Sequence, residues 1–186
     1  MKHIVLSILL VVCSASGFAK DANLPEESLY NLGSTWKNQS GEDVMLASLQ
    51  GEVQIIAMIF TSCQYACPMI IADIKKIIEE LPKKKQRKIH VSLFSFDPEK
   101  DTPKTLDKFS KKSSLGENWQ LYTSHDDNVR EMAAILGVKY KKMTNGMFSH
   151  SNIINIVDVK GVVLHQQNGI NAGSSESVKI LKELLR

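Results

Sequence analysis

Residues 52–81 restrict the fold most, because three signals follow one another there without a break. "EVQIIAMIF" is a nearly continuous apolar run, the pattern of a strand buried on both faces in the middle of a sheet. "MIIADIKKIIEEL" then sets Ile70, Ile71, Ile74, Ile77, Ile78 and Leu81 at helical spacing with Lys and Glu opposite, an amphipathic helix. Between the two stands "TSCQYACP", with Cys63 and Cys67. A central strand that feeds a surface helix is the unit of α/β folds, and its junction is where a rigid scaffold presents functional groups.

The rest of the chain extends that unit. "SLYNLGSTWKNQSGEDVMLASL" reads as an N-terminal hairpin turning at Ser40-Gly41. "KIHVSLFSF" reads as a strand, "DTPKTLDKFSKK" as a helix with Asp101 or Thr102 as N-cap and Pro103 in its first turn, and "WQLYTS" as a strand. "DDNVREMAAILG" is a helix closed by Gly137, "SNIINIVDVKGVVLHQ" a hairpin turning at Lys160-Gly161, and "SSESVKILKELLR" the last helix. "PKKKQRK" reads as a solvated loop. This order predicts an α/β sandwich, a central mixed sheet with a largely parallel middle flanked by helices, with the N-terminal hairpin added; a thioredoxin-like architecture fits it. With 43% hydrophobic content, 186 residues suffice for one domain, here residues 29–186 behind a polar leader, 20–28.

The first twenty residues, "MKHIVLSILLVVCSASGFAK", combine a basic start, an apolar stretch and small residues before a cut after Ala19. Residues 1–19 therefore read as an export signal; left uncleaved, it would tether the protein to a membrane. Cleavage removes Cys13 and leaves Cys63 and Cys67 with only each other, in a compartment that permits disulfides. Export, and the small excess of 23 Lys and Arg over 20 Asp and Glu, argue against nucleic acid as a partner.

Pro68 disfavours helical geometry at the residue before it, which places Cys67 at the helix cap and Cys63 in the loop. Unpaired N–H groups at a helix N-terminus stabilise thiolates, the form that both redox chemistry and metal binding use. A structural disulfide, a thiol–disulfide oxidoreductase with Cys63 attacking and Cys67 resolving, and a metal clamp all remain open on these residues. A peroxiredoxin-like reading would need Arg87 or Arg130 beside the cysteines. Two soft sulfur donors suit Cu(I), zinc or an iron–sulfur cluster, and the remaining ligands decide. Of the histidines, His90 alternates on a strand, His125 lies in a capping loop and His165 on the second arm of the late hairpin. His150 opens the first arm, after a loop long enough to fold over the cysteines. Met143 and Met147 read as packing residues.

Taken in order, "TSCQYACP", "SFDPEKDTP", "LGVKYKK" and "FSHSNIINIVDVKG" resemble the SCO/SenC family of copper chaperones, over roughly Leu29 to Gln166. The resemblance implies a thioredoxin-like fold and one copper ion, as Cu(I) or Cu(II), held by Cys63, Cys67 and His150. It implies an exported protein, periplasmic or on the outer face of the inner membrane, with an upstream copper donor. The acceptor it implies is a cuproprotein, a cytochrome c oxidase subunit whose dinuclear copper centre is matured by copper delivery or by reduction of its cysteines. Asp97, at the end of its strand, is expected to support the site from behind the ligands or to form the turn before Pro98. Phe96 and Tyr65 are expected to pack locally. Many family members carry Asp before the ligand histidine, where this chain has Ser149.

Overall fold

A computed structural model describes residues 24–186; the signal reading of 1–19, Cys13 and the start of the leader lie outside them. Nine strands and five helices follow in chain order: β1 Thr35–Asn38, β2 Asp43–Met45, β3 Val53–Ile59, α1 Ala66–Glu79, α2 Lys83–Gln86, β4 Ile89–Ser95, α3 Pro103–Lys112, β5 Trp119–Thr123, α4 Asp126–Ile135, β6 Tyr140–Lys142, β7 Phe148–His150, β8 Ile153–Val157, β9 Val163–Asn168 and α5 Ser175–Leu184. Seven strands form one sheet in the order β2-β1-β5-β4-β3-β8-β9, and β6 pairs with β7 apart from it. The fold is the mixed α/β, thioredoxin-like one that the sequence predicts.

β3 is parallel to β4 and β4 to β5, while β8, β9 and the β1–β2 hairpin join antiparallel. Every residue of β3 is buried, as its unbroken apolar run requires. Its register with β4 runs from Val53 opposite Ile89 to Ile59 opposite Ser95, so both strands deliver their chains to the same sheet edge, where loops of α/β folds build sites. α1 buries Ile70, Ile71, Ile74, Ile77 and Ile78 against β3 and α5, and α3 packs on β1 and β5.

Thr102, not Asp101, caps α3, its hydroxyl accepting from the Thr105 amide. The chain is docked before residue 29: Leu24 packs on the core, and the buried Ser28 donates its hydroxyl to the Lys160 carbonyl. That contact explains Gly161, whose φ is +83° and where an added Cβ would lie 2.6 Å from the Tyr30 ring. The lysine-rich stretch forms the short exposed helix α2. No helix among the described residues is long and apolar enough to cross a membrane.

One element departs from the expected order. The loop expected to run freely before His150 is the β6–β7 hairpin, and His150 ends β7 instead of opening the β8–β9 hairpin. Its turn carries Asn145-Gly146, with Gly146 at φ +77° and its amide on the Met143 carbonyl. Asn-Gly is a hairpin signal that the sequence displays, but three-residue arms with no fully buried side chain are too short to give a run of apolar alternation to accompany it.

Candidate metal centre

Cys63 stands in the β3–α1 junction, its amide bonded to the Phe60 carbonyl. Cys67 is not the cap: Tyr65 occupies that position, Ala66 and Cys67 are the first two helical residues and Pro68 the third. Proline is tolerated there because the amides of the first turn have no intrahelical partner, so the ring forfeits no hydrogen bond. Tyr65 caps with no side-chain bond. The Cys67 amide donates instead to Cys63 Sγ at 3.2 Å, so the thiol does the work a serine or aspartate does at other N-termini.

The two thiols are free and differ in protonation. A hydrogen bond from the Cys67 thiol lowers the Cys63 pKa most, overcoming partial burial, and the amides of Cys67 and Tyr65 and the His150 ring lower it further, to about 4. Cys67, with no exposed surface, is pushed up by that same hydrogen bond and by burial. Cys63 is thus a thiolate at neutral pH and Cys67 its proton donor.

His150 reaches this pair across the sheet edge. One ligating atom from each of Cys63, Cys67 and His150 lies within 4.8 Å of the others, and among the described residues these are the one group of three such side chains so placed. Nδ1 of His150 lies 3.0 Å from the Ser151 carbonyl, which only accepts, so that bond places a proton on Nδ1. The ring is held at 5.8 Å edge-on to Phe60 and at 5.0 Å from Phe96. Phe148 and Tyr140 complete an aromatic cluster, with Phe148 at 5.3 Å from Phe60 and Tyr140 stacked on Phe96 at 5.4 Å. That cluster glues the small hairpin to the ends of β3 and β4.

Ser149 is exposed, between two partly buried neighbours that face the cluster. Strand side chains alternate, so a carboxylate at position 149 would point away from the sulfurs. The departure from the family's usual Asp therefore does not remove a group aimed at the donors.

Asp97 is buried at the end of β4, and neither carboxylate oxygen has a hydrogen-bond partner. Burial raises its pKa first, and the charge of Asp101 adds to that. It touches none of the three donors through a hydrogen bond. Asp101, read in the sequence only as a cap, has the larger structural role. Fully buried, it accepts from the Thr61 amide at 3.0 Å, from the Thr61 hydroxyl, and from the Ser95 hydroxyl. It thereby ties the Cys63 loop to the end of β4. Its place four residues after Asp97, inside "SFDPEKDTP", was the available signal.

The other histidines stay apart. His90 faces Glu52 at 3.3 Å where β3 and β4 begin, His165 pairs opposite Ile156 on the outer strand, and His125 precedes α4. Arg87 precedes β4 at the sheet edge opposite the cysteines, and Arg130 faces Asp126 and Asp127 on its own helix. Phe96 packs as expected, whereas Tyr65 is 76% exposed.

A thioredoxin-like sheet whose β3–α1 junction holds a thiolate–thiol pair facing one imidazole defines a dithiol–imidazole protein. The SCO1/SenC family model matches residues 28–186, and the chain belongs to that family. The SCO1 protein homolog of Bacillus subtilis (strain 168) is 33% identical over 140 residues, covering 73% of this chain and 72% of its own. Among solved structures, a SCO1/SenC family lipoprotein from Bacillus anthracis aligns with TM-score 0.74 at 25% identity, over 82% of this chain and 93% of that one. BsSco, described as a member of the Sco family of cytochrome c oxidase assembly proteins with a disulfide switch, aligns with TM-score 0.70 at 31% identity, over 81% and 90%.

Proposed function

We propose that Cys63, Cys67 and His150 bind one copper ion and that the protein is an exported copper metallochaperone for the dinuclear copper centre of cytochrome c oxidase. The observation that carries this reading is the convergence of two sulfurs and one imidazole nitrogen within 4.8 Å. Two thiolates suit Cu(I), and a third, nitrogen donor also accommodates Cu(II). Four closed ligands would be expected of structural zinc; three leave a position through which an acceptor's cysteine can take the ion.

The chain's own residues prepare the exchange. Cys63 is already ionised, Cys67 would give up its proton when an ion binds, and the Ser151 carbonyl holds the His150 ring through Nδ1. Asp101 fixes the loop, and the buried, unpartnered Asp97 is not one of the three donors. A family lipoprotein among the relatives supports export and a membrane-side location. The cytochrome c oxidase acceptor and an upstream donor rest on the description of BsSco and on the family's usual task.

One observation favours a second activity of the same pair: a thiolate at Cys63 beside a protonated Cys67 is the pairing that attacks and then resolves a disulfide. His150→Ala separates the two. Copper affinity is expected to fall at least about 100-fold, since even groups that only orient a ligand contribute 10–100-fold, while dithiol reduction of a model disulfide changes little. Unchanged copper affinity in that variant would refute the three-ligand site.

A further inference from the structure

Beside the metal centre, a groove of about 880 Å³ runs between α1 and α3. Pro68, Ile71 and Ala72 of α1 and Phe109 of α3 form its apolar surface, and Cys63 lies along its wall with Ser62 and Gln64. Neither Cys67 nor His150 lines it, so of the three site residues it reaches Cys63 alone. Its charged residues are Lys75, Lys108 and Lys112, and no acidic residue is among them.

The lysines differ in what occupies them. Lys75 donates to the Ser113 and Ser114 carbonyls at the end of α3. Among the described residues, the lysines in ion pairs are Lys37, Lys111, Lys142 and Lys179, and Lys108 and Lys112 are in none. Both are exposed. They stand four apart on α3, hence on one face, where like charges repel. The helix C-terminus accounts for a cation at Lys112, but Lys108 lies a turn further in, where the dipole has faded. A negatively charged occupant would complement the pair and relieve its repulsion.

We propose that this groove receives an extended acidic segment of a partner protein. An apolar side chain of the segment lies on Ile71 and Phe109, its carboxylates face Lys108 and Lys112, and the partner's sulfur is thereby brought to Cys63. The proposal rests on the reading of Cys63 as a reactive site residue and adds how a partner is selected. A concave apolar strip with cations along one rim and the Cys63 side chain in its wall matches a peptide with alternating acidic and apolar residues. A flat lipid surface would reach the lysines but not the strip between the helices.

The experiment measures thiol–disulfide exchange between the reduced protein and three peptides, each carrying one cysteine as its mixed disulfide with thionitrobenzoate. The flanking residues are Glu and Leu, Lys and Leu, or Gln and Leu. The Cys63 thiolate attacks the peptide sulfur, the peptide–thionitrobenzoate bond breaks, and the thionitrobenzoate thiolate leaves and is read by its colour; a protein–peptide disulfide forms. At low salt the acidic peptide is expected to react about tenfold or more faster than the basic one, within the range of electrostatic steering. K108E/K112E should bring that ratio to one or invert it, and K179E/K182E on α5, with the same net charge, should preserve it. Cu(I) loading of K108E/K112E should equal that of the wild type, which keeps this test separate from the copper reading. Three results would overturn the proposal: the same acidic preference in wild type and K108E/K112E, uniformly slow exchange with all three peptides, or an effect of K108E/K112E on binding to phosphatidylglycerol vesicles but not on peptide preference.

Discussion

The seven-stranded sheet and the two-stranded β6–β7 hairpin contribute to the same site by opposite means. The sheet supplies Cys63 and Cys67 from a strand buried along its whole length and a helix with five buried isoleucines. The hairpin supplies His150 from two three-residue arms with no fully buried side chain, held to the sheet edge by the contacts of Phe148 and Tyr140 with Phe60 and Phe96. An isolated two-stranded hairpin is marginal in water, so its position depends on that aromatic cluster. The division would suit the copper delivery proposed above. The sulfurs stay fixed and primed, while the imidazole sits on the element that costs least to move.

Changes on the two sides should therefore separate stability from affinity. Ile74→Ala, a fully buried truncation under α1, should cost about 2–5 kcal/mol in denaturant unfolding yet leave one copper bound per chain. Loss of copper stoichiometry at a temperature where that variant is folded would break the separation. Phe148→Ala should do the reverse. It is half-buried, so it should cost well under the ~3–5 kcal/mol of a fully buried phenylalanine, but by freeing the hairpin it should weaken copper binding about tenfold, as loss of a ligand's support does.

The third prediction concerns pH. Because the Cys67 thiol and helix-end amides lower the Cys63 pKa more than His150 does, its ionisation belongs to the sheet side. The sign follows: a lowered pKa keeps the thiolate through neutral pH and loses it on acidification. Iodoacetamide alkylation of Cys63 should be flat across neutral pH and fall as pH drops through about 4, and His150→Ala should barely move that profile. A midpoint returned to the ordinary thiol range in that variant would transfer the ionisation to the hairpin. The smallest effect is expected at Lys142, whose bond to Glu99 links the hairpin to the β4–α3 loop at the surface. Exposed pairs contribute little, so Lys142→Ala should change copper affinity less than about twofold.

Legibility in the sequence divides along the same line. β3 and β8 are readable as short runs buried throughout, and α1 because Ile70 to Ile78 repeat at helical spacing for no reason other than the core. The cysteines were visible as a junction motif, and Pro68 located them, although it misplaced Cys67 by treating the proline as the first helical residue instead of the third. The hairpin has no period to read, so the loop before His150 made it a candidate and the resemblance attached it to the site. Asp101 was hidden for a different reason. A carboxylate before Thr-Pro looks like a cap, and only its placement against Thr61 and Ser95, far apart in sequence, reveals what it holds.

The central claim is that hairpin and sheet meet in one ion. X-ray absorption of the reduced protein loaded anaerobically with one equivalent of Cu(I) tests it most directly. The account predicts two sulfurs and one nitrogen around copper in the wild type, and loss of the nitrogen alone in His150→Ala. A wild-type spectrum with sulfur donors only, unchanged in that variant, would contradict it.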